Sequence, residues 1–311
     1  MKFRVATFNL CNFGADAPPD RLYRLARIVV NDLRCPSILA VQEVTSAEPE
    51  NGVGQVPGIT AYRALARAVA SAAGPRYSFR EVPPMAGQDG GQAGANIRVG
   101  VLFDPAAVQF VDRGDAGPND ATDVAYCNGM FGLTLSPGRI DPGHPAFLGN
   151  SRNSWAPSRK ALAAEFRVAG QTLFLIVCHF KSMRARDRRA EANAKKQRHV
   201  QAEIIHDFVA RVLGCDPSAR VVVLGDMNDV TGSQTLRLLK GRLLENLLEG
   251  VRKADRYTRR YGARLQALDH VLVSSSLGRG ARVIIPHVNT DGSDDTPASD
   301  HDPVLVEFDL F

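Results

Sequence analysis

Short apolar runs with strand character recur along the whole chain. They are rich in Val, Ile, Leu and Phe, and Gly, Pro, Asp or Asn residues bound most of them, as is typical of strands. The dipeptide Ala169-Gly170 separates two of these runs and predicts a tight hairpin. The predicted strands are residues 3–10, 37–44, 96–104, 161–168, 171–180, 219–228, 267–275 and 302–310.

Apolar residues at helical spacing predict two long helices. In residues 20–34, the side chains of Leu22, Leu25 and Val29 fall on one face, and a second apolar stripe runs along residues 188–213. The remaining long segments are rich in Gly and Pro or lack a period, which is typical of loops. These predicted loops are residues 46–60, 84–95 and 112–158.

The order of these elements indicates one folding unit. No internal repeat and no hydrophilic linker divides the sequence. We therefore expect a single domain over residues 1–311, of the α/β (α+β) class, with an antiparallel or mixed β core and helices outside it.

Composition narrows the class of protein without identifying it. Of the 311 residues, 44% are hydrophobic and 23% are charged, as in an ordinary globular protein. No apolar stretch reaches the roughly 18 residues that a membrane span needs. The five cysteines are scattered without a CxxC pair, which argues against a zinc site and a disulfide framework.

The N-terminus and the net charge bear on location and partners. The N-terminal residues alternate like a strand and do not resemble a signal peptide, so we expect a cytoplasmic monomer, or a secreted one if a leader has been removed. The formal net charge of +5 mildly favours a polyanionic partner.

Polar residues that can bind a metal or a phosphate stand at the ends of most predicted strands. One such residue would mean little, but six strand ends of this kind predict a single functional rim, where rigid strands hold the side chains. These residues are Asn9, Glu43, His179, Asp226, Asn228, Asp269, Asp300 and His301.

The residue types at these ends favour one kind of chemistry. Glu43 follows an apolar run and offers the oxygen ligand that Mg²⁺ prefers. Asp226 and Asn228 are spaced to point the same way and could orient a water molecule, and His301 beside Asp300 resembles an acid/base pair. With no nucleophile elbow and no Gly-rich nucleotide loop, we predict attack by metal-assisted water on a phosphoester.

Each feature also has an ordinary structural explanation. Asp226 and Asn228 could form a turn after a buried strand, Asp300 could cap a turn, and His179 alone could be a core histidine. We interpret two further histidines and one acid as structural. These are His206 on a helix face, His270 in a strand and Asp302 as a surface or loop residue.

A basic segment follows the strand that ends at His179. Residues 181–198 hold eight basic residues and two acids. A solvated helix start would explain this pattern, but its position favours a surface that contacts a phosphate backbone. Lys181, Arg98 and Arg159 are the predicted contacts to substrate phosphate; Asn153, Trp155 and Tyr257 are weaker candidates for substrate contact.

The ordered motifs resemble a known superfamily. TFNL, VQEV, HFKS, GDMN, LDHVLV and SDHDP occur in the order found in the endonuclease/exonuclease/phosphatase superfamily, over residues 3–310. A closer similarity is to bacterial nucleases of the extracellular deoxyribonuclease type. One departure is RKAL at residues 159–162, where those nucleases carry two prolines.

The resemblance implies a fold and roles for individual residues. The fold would be a four-layered α/β sandwich of two packed, mainly antiparallel sheets flanked by helices. Glu43 would be the main metal ligand, with Asn9 beside it and Asp300 completing the metal shell. The remaining roles would be handling of the attacking water by Asp226 and Asn228, phosphate contact by His179 and His301, and orientation of a histidine by Asp269.

These implications lead to a functional hypothesis. We predict a Mg²⁺- or Mn²⁺-dependent phosphodiesterase, with Ca²⁺ as a further candidate metal. DNA is the favoured candidate substrate, cut with little sequence preference, and RNA is the second candidate. Two alternatives stay open, namely a phosphatase or phosphodiesterase of a lipid or small-molecule phosphoester and a non-catalytic nucleic-acid-binding protein.

Overall fold

Two large β-sheets hold most of the strands. The computed structural model describes residues 2–46, 54–91, 94–127, 130–291 and 296–309. Sheet I consists, in spatial order, of Arg282–Ile284 (β16), Val304–Asp309 (β17), Lys2–Phe13 (β1), Ile38–Val44 (β2), Arg98–Phe103 (β4) and Ser78–Arg80 (β3). Sheet II consists of Leu244–Asn246 (β12), Asp269–Ser274 (β15), Arg220–Asp226 (β11), Gln171–His179 (β10), Leu162–Val168 (β9) and Gln109–Phe110 (β5), with Gly138–Arg139 (β8) also on β9.

Two small hairpins and several helices complete the described chain. The hairpins pair Val124–Cys127 (β6) with Met130–Leu133 (β7), and Arg259–Tyr261 (β13) with Arg264–Gln266 (β14). The helices are Pro19–Arg27 (α1), Ile59–Ser71 (α2), Pro145–Leu148 (α3), Arg188–Cys215 (α4), Gln234–Lys240 (α5) and Ser275–Gly278 (α6), with a π-helical turn at Ile28–Asp32 and a 3₁₀ turn at Leu247–Gly250. Among the helices described, none combines the length and apolar character needed to cross a membrane.

Each large sheet contains one parallel pair among antiparallel neighbours. β1 runs parallel to β2, and β10 runs parallel to β11. A parallel pair needs a crossover connection, and α1 and α4 supply these crossovers. Within each pair the carboxyl ends lie side by side, and a hydrogen bond from Asn9 on β1 to Asp226 on β11 shows that both pairs end at the same edge of the molecule.

The layers explain why the strand runs are almost continuously apolar. Val5 and Leu175 lie in the core between the sheets, whereas their neighbours Ala6 and Ile176 face the outer helices. Successive strand residues point to opposite faces, so both faces of each sheet are buried. Helices α1 and α2 cover sheet I, and α4 and α5 cover sheet II, which gives the expected four-layered sandwich.

The eight predicted strands and both long helices are confirmed for the residues described, whereas the predicted loop at residues 112–158 contains the short strands β6, β7 and β8 and helix α3. The Ala169-Gly170 hairpin is also confirmed, because Val168 pairs with Gln171 and both turn residues have positive φ. Helices α2 and α5 were not predicted. In α2, Tyr62, Leu65 and Val69 fall on one buried face, but alanines on the other sides make this face less distinct, and α5 is only two turns long.

Asp302 lies in the loop before β17, as one part of the prediction had it, but the alternative that it is a surface residue is wrong. Its side chain is fully buried, and its Oδ1 accepts hydrogen bonds from the backbone N–H groups of Asn289 at 2.8 Å and Thr290 at 3.2 Å. His287 Nδ1 lies 3.1 Å from Asp302 Oδ2. A segment distant in sequence covers this carboxylate, so it ties the start of β17 to residues 287–290.

One glycine of β11 permits a close approach between strands. Gly225 has a φ of 133°, and a Cβ there would lie 1.9 Å from the carbonyl oxygen of Cys178 on β10. We expect Gly225→Ala to lower the free energy of unfolding by about 2 kcal/mol or more, because the added methyl group forces the strands apart and strains the backbone. Urea denaturation measures this change.

Gly214→Ala in α4 is the matched control. A Cβ at Gly214 meets no heavy atom within 4 Å, and alanine favours a helix over glycine, so this variant should unfold at an equal or higher urea concentration. Equal losses of stability in both variants would contradict the strand-contact explanation.

Candidate active site

A polar cleft opens at the shared edge of the two sheets. Its volume is about 290 Å³. Register places His179, Asp226 and Asp269 side by side across β10, β11 and β15. The predicted site residues that line the cleft are Glu43, Arg159, His179, Lys181, Asp226, Asn228, Asp300 and His301.

Asn9 joins two carboxylates at the base of the cleft. It is fully buried, and its Nδ2 donates to Glu43 Oε1 at 3.3 Å and to Asp226 Oδ2 at 3.1 Å. Its Oδ1 accepts the backbone N–H of Cys11 at 3.0 Å. The amide thus holds a carboxylate of sheet I close to one of sheet II, and its geometry is that of a positioning group.

Glu43 reaches from this base toward solvent. Its φ of 59° turns the end of β2, and its Oε2 accepts the backbone N–H of Asn12 at 3.0 Å. The Glu43 side chain keeps 21% of its surface exposed, in contrast to 2% for Asp226. Glu43 is therefore the carboxylate of this pair that a cation entering the cleft can reach.

Asp226 and Asn228 form a fixed pair on the cleft wall. Asp226 Oδ1 accepts the backbone N–H of Asn228 at 2.8 Å, and Asn228 Nδ2 donates to Asp226 Oδ2 and to Phe180 O, both at 3.1 Å. Burial raises the pKa of Asp226 to about 7, although the nearby His301 opposes this shift. Asp226 is thus a more basic carboxylate than one exposed to solvent.

His301 is held by a buried acid. Its Nδ1 lies 2.7 Å from Asp269 Oδ2, and its Nε2 lies 3.9 Å from Asp226 Oδ2. Burial alone would lower the pKa of His301, but the carboxylates of Asp269 and Asp226 outweigh burial and raise it to about 9. His301 is consequently a cation at neutral pH.

His179 has the opposite character. Its Nε2 lies 3.5 Å from Asp226 Oδ2 and 3.8 Å from Glu43 Oε1. Burial, assisted by the positive charges of Arg159 and His301, holds the pKa of His179 well below its usual value. The cleft therefore combines a neutral imidazole and an imidazolium.

Cations line the walls and rim of the cleft. Arg159 is buried, and its guanidinium donates to the carbonyl oxygen of Phe180. Burial lowers the pKa of Lys181, and Arg159 lowers it further. At the rim, Asp300 Oδ2 lies 2.8 Å from Arg259 Nη2 and 3.9 Å from Arg184 Nη2.

Arg259 is the main cleft residue that the sequence did not predict. It lies on the β13–β14 hairpin, and its backbone forms a bridge with His301. Together with His301, it outweighs the effect of burial and lowers the pKa of Asp300. Its one sequence signal was its place in a second basic stretch, RYTRRYGAR.

Two predicted site residues lie beneath the cleft, and one lies outside it. Asn9 and Asp269 support the residues of the cleft wall. Arg98 is 1% exposed, and its guanidinium contacts Glu81, Val56 O and Asn96 O. The structure thus does not bring Arg98 to the cleft.

The weaker candidates also lie apart from the cleft lining. Tyr257 stacks on His287 at 3.8 Å, so one face of its ring is occupied. Trp155 Nε1 donates to Asn193 O at 3.1 Å, and Asn153 is exposed on the surface. His270 is buried, with its Nε2 3.0 Å from Asp229 O, in line with a structural role.

Two sets of side chains at the site offer atoms that could bind a metal ion. Asp226, Asp269 and His301 are buried and bring ligand atoms within 4.8 Å of one another. Because His301 carries a proton at neutral pH and is bonded to Asp269, this trio is better suited to proton and charge relay. Glu43 offers carboxylate oxygens to the cleft itself, and these fit a hard divalent cation.

The fold and this carboxylate–histidine cleft define the class of the protein. A model of the endonuclease/exonuclease/phosphatase family matches residues 6–301. The chain belongs to this family, whose members are generally hydrolytic phosphoesterases. The family expected from the motifs is thereby confirmed, although no curated protein sequence matches the chain.

Solved structures share the fold at low sequence identity. Truncated TDP2 of Caenorhabditis elegans has a TM-score of 0.60 at 15% identity, covering 99% of this chain and 97% of that chain. A family protein of Bacteroides thetaiotaomicron also has a TM-score of 0.60 at 15% identity, covering 100% and 99%. D. rerio TDP2, solved with a single strand DNA product, has a TM-score of 0.53 at 16% identity, covering 99% and 98%.

The Asp269–His301 pair makes a direct spectroscopic prediction. In Asp269→Asn, the amide no longer stabilises the imidazolium, so the pKa of His301 should fall from about 9. The expected decrease is about 1–3 pH units, because an adjacent opposite charge has an effect of that size. An NMR titration of the histidine side chains measures it.

Asp255→Asn is the control for this titration. Asp255 pairs with Arg252 on the surface at 2.6 Å, so its loss should leave the pKa of His301 unchanged. An unchanged His301 pKa in Asp269→Asn would show that burial and Asp226 alone set its charge.

Proposed function

We propose that this protein is a divalent-metal-dependent phosphodiesterase that hydrolyses nucleic-acid strands, with DNA as the first substrate. The main support for this proposal is that one cleft with a cationic rim brings together Glu43, Asp226, Asn228 and two histidines. These groups combine a cation ligand, a holder for water and donors for phosphoryl oxygens, which is the set that phosphoester hydrolysis needs.

We assign Glu43 as the main metal ligand, with Asp300 as a second carboxylate on the cleft. Both line the same cavity, and Asn9 fixes the direction of Glu43. A bound Mg²⁺ or Mn²⁺ would supply positive charge to the phosphoryl oxygens and help to acidify water. Asp300 also forms an ion pair with Arg259 at 2.8 Å, so Arg259 competes with a cation for this carboxylate.

We assign the binding and orientation of the attacking water molecule to Asp226 and Asn228. Their side chains are fixed relative to each other by direct hydrogen bonds and line the cleft. A carboxylate accepts a proton from water, and an adjacent amide orients the oxygen. Burial raises the pKa of Asp226, which makes it a stronger base than an exposed carboxylate.

We assign the stabilisation of the negative charge that develops on the phosphoryl oxygens to the two histidines and the buried arginine. His301 contributes a cation fixed by Asp269, and neutral His179 can donate from one ring nitrogen. Arg159 adds a guanidinium held by the Phe180 carbonyl oxygen. Donors that are already fixed in position stabilise the charge of a transition state without a cost of reorientation.

DNA is favoured over other phosphoesters by the rim. Lys181, Arg184 and Arg259 border the cleft, and such cations contact phosphates of any base sequence. This favours cutting with little sequence preference. A related fold, that of D. rerio TDP2, has been solved with a single strand DNA product, which supports the same substrate class here.

Loss of the proposed metal ligand provides the functional test. Glu43→Gln keeps the size of the side chain but removes its charge. We therefore expect activity to fall by a factor of about 10² or more and Mn²⁺ to bind at least tenfold more weakly. Digestion of DNA with Mg²⁺, Mn²⁺, Ca²⁺ or EDTA measures activity, and calorimetry measures Mn²⁺ binding.

Glu249→Gln is the matched control, because Glu249 is a surface residue that pairs with Lys240 at 2.9 Å. Full activity in EDTA would overturn metal dependence. A panel of DNA, RNA, sphingomyelin and inositol phosphates tests the substrate class, and preferential hydrolysis of either of the last two would replace the nuclease assignment by a lipid or small-molecule phosphoesterase.

A further inference from the structure

A second groove opens beside the active-site cleft. It lies between residues 154–156 and the stretch 181–197, and we call it the flanking groove. Lys181 and Arg184 line both the cleft and this groove, so the two cavities adjoin. Its volume is about 710 Å³, which is within the range of ligand-binding pockets, roughly 300–1,000 Å³.

Four cationic residues and one acidic residue line the flanking groove. Arg184, Arg186 and Arg189 are exposed along it. Arg186 and Arg189 have no ion pair within the part of the chain that the structure describes. The acid of the groove, Asp187, is engaged in capping helix α4, because its Oδ1 accepts the N–H of Ala190 at 2.8 Å. The groove therefore presents a positive lining beside the cleft.

The floor of the groove is built from small side chains and one amide. Ala185, Ala190 and Ala194 contribute small apolar side chains to the lining. Gln197 is 1% exposed, and its Nε2 donates at 2.8 Å to Ala146 O and to Ala156 O. Its Oε1 has no hydrogen-bond partner among the described residues, so one acceptor at the floor is unsatisfied.

We propose that the flanking groove binds the nucleic-acid strand on one side of the scissile phosphate, so that the enzyme requires a polynucleotide substrate. This inference rests on the proposed function. A strand carries phosphates at regular intervals, and a groove that continues a cleft with exposed arginines can follow them. A membrane surface would instead be met by protruding apolar side chains, whereas this groove is recessed and lined by alanines and cations.

The double variant Arg186→Glu/Arg189→Glu tests the groove. Both side chains are exposed, so the fold should be retained. For a 12-nucleotide DNA strand, we expect KM to rise at least tenfold with kcat little changed. For bis(p-nitrophenyl) phosphate, which is too small to reach the groove from the cleft, both constants should stay within twofold of the wild type.

Arg63→Glu/Arg67→Glu on helix α2 is the control. It changes the net charge by the same amount on exposed arginines of the helix layer over sheet I, away from the cleft. This variant should keep KM for the strand within twofold. An equal rise of KM in both double variants would show a general charge effect and overturn the groove assignment.

Binding without turnover separates the groove from the proposed chemistry. Fluorescence anisotropy in EDTA should show that the wild type binds the labelled strand and that Arg186→Glu/Arg189→Glu binds it at least tenfold more weakly. If the wild type binds in this way but hydrolyses no phosphodiester with any metal, the proposed function fails and the groove stands. The groove proposal would be overturned if the variant bound the DNA strand as tightly as the wild type does. It would also be overturned if the variant lost only binding to anionic phospholipid vesicles and kept its binding to the strand.

Discussion

The contact of Asn9 with Glu43 and Asp226 is the interaction on which the site depends. Asn9 and Asp226 are 217 residues apart in sequence and belong to different sheets. Two carboxylates that approach each other in a buried cleft repel, and burial also penalises their charges. One neutral amide donates to both of them, so it compensates part of this cost and fixes the distance between the sheets where the cleft opens.

The electrostatics of the cleft follow from this arrangement of acids. The charge of His301 persists because Asp269 and Asp226 face it, whereas His179 stays neutral because burial and positive neighbours disfavour its protonation. Backbone carbonyls hold the remaining donors, as Phe180 O does for Arg159 and Asn228. Buried groups near the strand ends thus have fixed orientations, and exposed cations lie at the rim, where a long anion could meet them.

Most of the fold could be predicted from the sequence, because both faces of the central strands are buried. That burial demands apolar residues at every position of a run such as residues 173–178, so the strand is recognisable from the sequence without knowledge of its partners. Helix α4 is visible for a similar reason, since one side of it packs on sheet II. Helix α2 is less distinct in the sequence because alanines lie on several of its sides, although Tyr62, Leu65 and Val69 share its buried face.

The sequence by itself determined which residues end the strands, and most of these form the cleft, because a strand end is a rigid place for a side chain. Only the tertiary structure decided how the other charges are used. Arg98 is buried and forms an ion pair with Glu81, and the buried carboxylate of Asp302 accepts backbone hydrogen bonds. Arg259 lies on a hairpin that places it at the rim of the cleft. The physical reason is that the partner of a charged side chain lies in a segment distant along the chain, and its environment is defined only when those segments pack.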